Sequence, residues 1–213
     1  MRDIDYLLSR RTFAGAVLAT ATLIGARGAA AAEPLASTPS QDMGPFYPVQ
    51  RLLDSDADLT KIKGHKNRAK GTAIEVTGRV LDRRGNPVRG AKLELWQCNA
   101  AGRYAHVNDV ATAPLDPDFQ GFGAITTGRQ GEWRVTTIKP AGYDSPIGHR
   151  TPHIHFDISG RSQRLITQMY FSDETATNAK DLLYMEMGDA ASRTVARVDG
   201  MARYNWDIIL MDG

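Results

Sequence analysis

The stretch RTPHIHFD, residues 150–157, alternates polar and apolar side chains from His153 onward, which is typical of a β-strand with one buried face. Because side chains alternate faces along a strand, His153 and His155 point the same way, while Ile154 and Phe156 point the other way and can enter a core. The alternation predicts a strand over residues 153–158. Two imidazoles on one face can hold one metal ion, so this strand also marks a candidate site.

Similar alternation occurs elsewhere in the chain. The runs 74–80 and 92–96 alternate apolar and polar residues, and turn formers at 83–87 separate them. Further strands are predicted at 132–138, 164–171 and 204–211. Many short strands with turns between them predict an all-β fold, namely an immunoglobulin-like or transthyretin-like β-sandwich with long loops.

Three other segments lack this pattern. Residues 33–72 are rich in turn formers and predict a short N-terminal arm ahead of a β-sandwich catalytic domain at 73–213. Residues 99–129 read as one long loop, and loops of that length in a compact domain are usually functional or disordered. Residues 176–196 are the best candidate for a helix, regular or irregular.

Residues 1–32 have the features of an export signal. Arg10-Arg11-Thr12-Phe13 precedes a mildly apolar stretch, and small residues then lead into Glu33. This order is typical of a secretory signal peptide, and the paired arginines indicate the twin-arginine route. An amphipathic N-terminal helix is disfavoured because the stretch has no charged face. The sequence therefore predicts an exported, periplasmic protein.

The composition restricts the partners and the metal. Without residues 1–32, which carry four Arg and two Asp, basic and acidic residues are equal in number. No polybasic patch points to nucleic acid or to a membrane surface as a partner of the mature chain. The single cysteine, Cys98, excludes an intrachain disulfide and disfavours a structural zinc site. We expect Cys98 to be a packed thiol.

Other ligands for a metal would come from oxygen or nitrogen donors near the two histidines. Tyr104 and Tyr143 lie in glycine-flanked loops, where a side chain can be presented rather than packed. His149 and Asp157 are further donors close in sequence. On the residues alone, zinc, copper and iron stay open, as does a packed pair of histidines without metal.

The order of the motifs resembles that of the intradiol ring-cleavage dioxygenases, close to the protocatechuate 3,4-dioxygenase group. A family signature runs from Val76 through Leu93-Glu94-Leu95 to Tyr104, and the likeness spans most of residues 38–210. The resemblance implies a non-haem Fe(III) dioxygenase. Such an enzyme takes a small catechol and dioxygen, cleaves the ring between its two hydroxyl-bearing carbons and gives a muconate-type dicarboxylate.

The resemblance also implies the ligands of the ferric ion. They would be Tyr104, Tyr143, His153 and His155. Ferric iron is a hard cation that favours anionic oxygen, and a bound trivalent cation favours deprotonation of a phenol. By position, Tyr143 resembles the tyrosinate that leaves the metal and serves as a base.

Three further residues match positions around the reacting ring, and Trp96 is a fourth candidate for the lining of its cavity. Arg150 resembles the family's active-site arginine, whose charge would stabilise negative character on the ring, and Gln168 resembles a glutamine beside it. Tyr47 and Trp96 are predicted substrate contacts, Tyr47 from an N-terminal segment near the substrate mouth.

The chain also departs from the family. Thr151-Pro152 fills a gap that usually reads Pro-x, the segment from Tyr143 to Arg150 is short, and Ser145 stands near a position where protocatechuate enzymes carry tryptophan. Catechol or hydroxyquinol 1,2-dioxygenase specificity is therefore an alternative to protocatechuate.

Two broader alternatives follow from the residues. One is a secreted, non-enzymatic binding module, because the hairpin from Val76 to Leu95 also resembles transthyretin-like carriers. Another is a copper or zinc protein that uses His153 and His155 with His149, which leaves both tyrosines without a role. The chain is also compatible with either a homo-oligomer or one half of a hetero-oligomer.

Overall fold

A computed structural model describes residues 33–49 and 54–212. The predicted export signal at 1–32 lies outside the described residues. Within the described part of the chain, no helix is long and apolar enough to cross a membrane.

Short strands make up most of the regular structure. In chain order they are β1 (Ala73–Asp82), β2 (Lys92–Trp96), β3 (Phe122–Thr126), β4 (Glu132–Ile138), β5 (Tyr143–Ser145), β6 (Gly148–Arg150), β7 (His153–Ser159), β8 (Arg164–Phe171), β9 (Val195–Val198), β10 (Arg203–Asn205) and β11 (Ile208–Leu210). The helices are α1 (Thr175–Asn178) and α2 (Leu182–Met185), with 3-10 turns at Ser172–Glu174 and Gly188–Thr194.

The strands form two layers. The front sheet has the order β3-β2-β7-β8, with antiparallel neighbours throughout. In the back sheet, β4 pairs with β1 antiparallel, and β10 and β11 pair with successive parts of β1 in parallel. Strand β9 pairs with both β8 and β10, so it joins the two layers. The predicted all-β sandwich is confirmed.

One apolar core lies between the layers. Alternate residues of β7 enter it, so Ile154, Phe156 and Ile158 are fully buried. The Phe156 ring packs against two tryptophans from elsewhere in the chain, Trp133 at 5.5 Å and Trp206 at 5.3 Å between ring centroids. The period-two pattern that predicted β7 therefore places its histidines on the opposite, outer face of the front sheet.

The expectation of one uninterrupted loop at 99–129 is wrong, because β3 lies inside it. Strand β3 pairs along the whole of β2, from Lys92 opposite Thr126 to Trp96 opposite Phe122. Its sequence, FGAIT, is short and contains a glycine and an alanine, so no period-two pattern shows in the sequence.

Two other predicted elements are interrupted. The candidate helix at 176–196 is only two four-residue helices and a 3-10 turn, and Asp181 caps the second helix. The predicted strand at 204–211 is split into β10 and β11 at Trp206. The Trp206 carbonyl oxygen would lie only 1.8 Å from a Cβ atom on Gly78, so the close approach of these two segments requires glycine in β1.

Residues 33–49, the first part of the predicted N-terminal arm, lie along the front sheet. The Gln41 amide donates to the Ile166 carbonyl at 2.8 Å, and the Thr167 hydroxyl donates to the Pro39 carbonyl at 2.8 Å. The outer face of β7 is consequently buried, although it lies outside the sandwich core.

Candidate functional site

His153 and His155 lie side by side on the outer face of β7. Their side chains are buried, with 1% and 2% exposure, and their ring centroids are 4.9 Å apart. They face the arm and the loops, whereas Ile154 between them faces the core.

Tyr104 reaches the histidines from the loop after β2. Asn99 organises this loop, since its side-chain oxygen accepts from the amides of Ala101 at 2.8 Å and Arg103 at 3.0 Å. The Asp109 carboxylate accepts from the Tyr104 amide at 2.7 Å. These contacts fix the backbone that presents the buried Tyr104 ring.

Tyr143 and Arg150 come from a small hairpin formed by β5 and β6. They are directly opposed across its two strands. The short Tyr143–Arg150 segment noted in the sequence is therefore an ordered hairpin, and its brevity places a phenol beside a guanidinium.

Gly102 permits the two loops to meet. Its φ of +77° is in the left-handed region, and a Cβ atom there would lie 2.8 Å from the Gly142 carbonyl oxygen and 3.2 Å from the Tyr143 Cβ. A side chain at this position would push Tyr104 and Tyr143 apart.

The four predicted metal ligands are brought together. Ring centroids are 5.6 Å apart for Tyr104 and Tyr143, and 5.6 Å apart for Tyr143 and His153. The Tyr104 and His155 rings complete the circuit at 6.4 Å. Two phenols and two imidazoles, drawn from a loop, a hairpin and a strand, thus surround one point.

The donor set of this cluster fits a hard metal cation. Three of its buried polar atoms have no hydrogen-bond partner among the described residues: Tyr104 Oη, His153 Nε2 and His155 Nδ1. Unpartnered buried polar atoms are rare and cost free energy. His153 Nδ1 lies 2.6 Å from the Thr151 carbonyl, so that nitrogen carries the proton and Nε2 keeps its lone pair for a ligand.

Burial keeps all four rings uncharged when no cation is present. It raises the pKa of Tyr104 well above its ordinary value, and the neighbouring Tyr143 adds to the effect. Burial also raises the pKa of Tyr143 to about 12, although Arg150 opposes it. For His153 and His155 burial lowers the pKa, because both imidazolium ions would be poorly solvated.

Arg150 is buried beside this cluster and held from two sides. Its Nη2 donates to Gln168 Oε1 at 2.6 Å, and its Nε donates to Asp181 Oδ2 at 2.9 Å. Burial acts to lower the pKa of Arg150, but Asp181 and other neighbours outweigh it and raise that pKa. Gln168 Nε2 is buried without a partner among the described residues. The predicted Arg150–Gln168 pair is therefore in direct contact.

The two predicted substrate contacts lie on one side of the cluster. Trp96 stacks on His155 with ring centroids 4.9 Å apart and an 8° interplanar angle. Tyr47 packs edge-on against Trp96 at 5.0 Å and donates its hydroxyl to Glu94 Oε2 at 2.6 Å. A cavity of about 310 Å³ borders Trp96 and Tyr104 but is not lined by Tyr47.

Other donors considered from the sequence are engaged elsewhere. His149 is 57% exposed and pairs with Asp144 at 2.8 Å, and Asp157 pairs with Arg164 at 2.7 Å. The described residues hold no cluster of three or more His, Cys, Asp or Glu that could bind a metal. The geometry thus gives no support to a copper or zinc site built with His149. Cys98 is buried, as expected, and burial raises the pKa of its thiol to about 12.

Two residues of the site, Gln41 and Asp181, were not anticipated from the sequence. Gln41 accepts from the Gln168 amide at 3.1 Å and donates to Tyr170 Oη at 3.1 Å. Asp181 binds Arg150. The one available signal was an aspartate before Leu182-Leu183, which predicts a helix cap but no contact with an arginine 31 residues earlier.

Comparisons by family model, by sequence and by structure each identify dioxygenases as similar to this chain. A family model described as Dioxygenase matches residues 43–212. The chain is 40% identical over 190 residues to the protocatechuate 3,4-dioxygenase beta chain of Burkholderia cepacia, which covers 83% of this chain and 80% of that one. It is 33% identical to the alpha chain from Pseudomonas putida, with 83% and 92% covered. Among solved structures, the dioxygenase domain of a dioxygenase carbohydrate-binding protein fusion from Streptomyces sp. SirexAA-E superposes with a TM-score of 0.64 at 25% identity, covering 84% of this chain and all of that one.

Proposed function

The chain belongs to the intradiol dioxygenase family of oxidoreductases, and we propose that it cleaves a catechol between the two hydroxyl-bearing carbons with a non-haem ferric ion. The observation that carries the proposal is the convergence of two phenols and two imidazoles with three buried atoms lacking a partner among the described residues. Family membership favours an enzyme over a non-enzymatic binding module.

Four side chains of this chain would hold the ferric ion. They are Tyr104, Tyr143, His153 and His155. The imidazoles offer neutral nitrogen, and the phenols offer oxygen that a trivalent cation can ionise despite their raised pKa values. When bound, Fe(III) would supply Lewis acidity that draws electron density from a chelated catechol and exposes its ring to dioxygen.

Arg150 and Gln168 supply the polar environment of the reacting ring. The guanidinium is permanently charged and buried, so its field acts strongly on negative charge that develops nearby. Gln168 orients it and keeps one unpartnered Nε2 available to a substrate oxygen.

Tyr143 is suited to move a proton. It is the half-buried member of the tyrosine pair, whereas Tyr104 is 3% exposed. As a phenolate, Tyr143 Oη can accept the proton of a catechol hydroxyl, and the opposing Arg150 would favour its charged form. Tyr104, sealed under the Phe46 ring at 4.5 Å, is suited to stay in place.

For the substrate, we propose a small catechol of the protocatechuate type. The 40% identity to a protocatechuate 3,4-dioxygenase beta chain supports this choice. Catechol and hydroxyquinol are the competing substrates, because relatives named for both also match, at 31% and 33% identity. The Tyr143–Arg150 hairpin, which borders the site, is the element expected to decide between them.

The test combines colour with oxygen uptake. Phenolate ligands to Fe(III) give a visible charge-transfer band, so the iron-loaded protein should be coloured and consume one dioxygen per ring cleaved. Protocatechuate, catechol and hydroxyquinol are compared as substrates. Arg150→Ala should keep the colour and lose about 100- to 1000-fold in kcat. A colourless protein with full iron occupancy, or no uptake with any catechol, would refute the proposal.

We also propose that the protein is exported by the twin-arginine route and acts as an oligomer of one or two chain types. The names alpha chain and beta chain of two relatives support the oligomer. Because all four proposed ligands belong to one chain, a partner is not required to complete the metal site. Replacement of Arg10 and Arg11 by lysine should retain the protein in the cytoplasm, which cell fractionation would detect.

A further inference from the structure

Asp181 is a fully buried carboxylate at the edge of the candidate site. It has 0% exposure and lies between α1 and α2. Its Oδ1 accepts from the amides of Leu183 at 3.0 Å and Tyr184 at 3.2 Å, which caps α2. Its Oδ2 accepts from Arg150 Nε at 2.9 Å and from the Thr151 amide at 2.9 Å. Four donors thus fix this carboxylate in one orientation.

The contact with Arg150 restricts the guanidinium. Nε is held by Asp181 and Nη2 by Gln168, so the plane of the guanidinium is defined by two anchors on different elements. Burial of a charged side chain without a partner costs a large desolvation free energy, so an unpaired guanidinium would be unstable in such a site. Asp181 supplies the compensating charge at Nε, while Nη2 is held by Gln168.

Thr151 extends the same connection to a predicted metal ligand. Its amide donates to Asp181, and its carbonyl accepts from His153 Nδ1 at 2.6 Å. The Thr151 hydroxyl also bonds the Asn178 side-chain oxygen at 2.9 Å. The segment that joins Arg150 to His153 is therefore bound to the α1–α2 region through backbone and side chain.

We propose that Asp181 is a positioning residue of the ring-cleavage reaction, which orients the Arg150 guanidinium toward the substrate. This inference rests on the proposed function. The hydrogen bonds of Asp181 go to Arg150, Thr151, Leu183 and Tyr184 and not to the four rings, so it acts through Arg150.

The test uses Asp181→Asn, which keeps the size and the oxygen that caps α2 but replaces the charged oxygen that accepts from Arg150 and Thr151 with an amide nitrogen. We expect kcat to fall about 10- to 100-fold, as for other residues that orient functional groups, with little change in KM. Iron content and the visible band should match those of the wild type. The matched control is Asp207→Asn, which breaks the surface pair with Arg79 and should leave kcat unchanged.

A double-mutant cycle separates positioning from a general structural effect. If Asp181 acts through Arg150, then Asp181→Asn should lower kcat by less than about twofold in an Arg150→Lys background. Multiplicative losses in the double variant would overturn the inference, as would wild-type kcat in Asp181→Asn alone.

If Asp181→Asn does not fold or does not retain iron, a second variant tests the same inference. Asp181→Glu keeps the charge but displaces it by one methylene, so kcat should again fall with the visible band intact. Wild-type kcat in this variant would overturn the inference, and so would unfolding or loss of iron in both variants. Failure of the proposed function would instead appear in the wild-type chain as an absence of ring cleavage.

Discussion

At the scale of single residues, the cluster concentrates groups whose pKa values are displaced by burial. His153 and His155 share one face of β7, where burial lowers the pKa of both and a charge on His153 would lower that of His155 further. In the unfolded chain both imidazoles would titrate near pH ~6.5. The folded chain therefore binds fewer protons than the unfolded chain in mild acid.

This difference predicts a pH-dependent stability of the metal-free protein. Below pH ~6.5 the two histidines bind protons in the unfolded state but stay neutral in the native state. The free energy of unfolding should therefore fall by about 1.4 kcal/mol per pH unit for each histidine. Urea unfolding between about pH 7.5 and pH 5 would measure it. His153→Asn should reduce the slope, whereas Val198→Ala, at an exposed position without a titratable group, should not. Equal slopes in both variants would contradict the prediction.

Replacement of Tyr104 by phenylalanine should weaken metal binding without lowering the stability of the metal-free protein. The Tyr104 hydroxyl is buried without a partner among the described residues, so Tyr104→Phe should leave the metal-free protein as stable as the wild type, or about 1 kcal/mol more stable. The same change should weaken iron binding and shift the visible band.

Tyr204→Phe is the matched control for Tyr104→Phe. The Tyr204 hydroxyl donates to Asp173 at 2.8 Å and accepts from Lys139 at 3.1 Å. Its loss should cost about 1 kcal/mol in the free energy of unfolding and leave iron binding intact. Equal destabilisation in the two variants would show that Tyr104 Oη has a partner.

The sequence predicts the chemistry-bearing residues better than the residues that support them. His153 and His155 follow from strand periodicity, and the two tyrosines follow from the order of motifs. Gln41 and Asp181 could not be found in this way. Their contacts join residues 127 and 31 positions apart, and such pairs depend on how the arm and the short helices pack.

At the scale of elements, the Tyr104 loop and the β5–β6 hairpin must approach closely for the cluster to form. Gly102 is the point of contact, with a positive φ and no room for a Cβ atom. Gly90 has a nearly equal φ of +75° but has open space around it. A comparison of alanine substitutions at the two glycines therefore separates the effect of backbone strain from the effect of crowding.

Gly102→Ala should reduce both stability and iron affinity, while Gly90→Ala should reduce stability alone. Strain at a positive φ costs about 1–2 kcal/mol in either variant. The clash with Gly142 adds to this cost only at Gly102 and separates the two tyrosines. Thermal unfolding and titration of the metal-free protein with ferric ion would measure the two effects. Equal iron affinity in both variants would mean that the loops can separate without disturbing the ligands.

The prediction of helices and strands failed where the local sequence pattern disagrees with the contacts made to distant segments. The segment 176–196 contains helix formers, but its parts turn to place Asn178 and Asp181 against Thr151, so a single long helix does not form. Strand β3 carries little pattern of its own and exists because β2 supplies a full set of partners.

At the scale of the whole molecule, two sheets share one core while the site lies outside it. Phe156 is central to that core, since its ring contacts Trp133 and Trp206 from the back of the sandwich. His155 precedes it on β7, and His153 lies two residues before His155 on the same strand. The same strand therefore couples overall stability to the geometry of the site.

Phe156→Ala should destabilise the protein by about 3–5 kcal/mol, because it leaves a cavity in the core. Val198→Ala, at a position that is 53% exposed, should change the free energy of unfolding by less than about 0.5 kcal/mol. Denaturant unfolding followed by circular dichroism and by the visible band should give one midpoint for both probes. Loss of the band well before loss of the sheet would show that the site opens independently.

The placement of the N-terminal arm also governs the order in which the molecule can assemble. Gln41 lies near the start of the described residues, but its partner Gln168 is made 127 residues later, and Thr38 binds Ile209 at a separation of 171 residues. Loop-closure entropy opposes such distant contacts until the intervening sheet is formed. We therefore expect the arm to dock late in folding, and the interval before it docks to be the one in which an ion would reach the four-ring cluster without displacing protein.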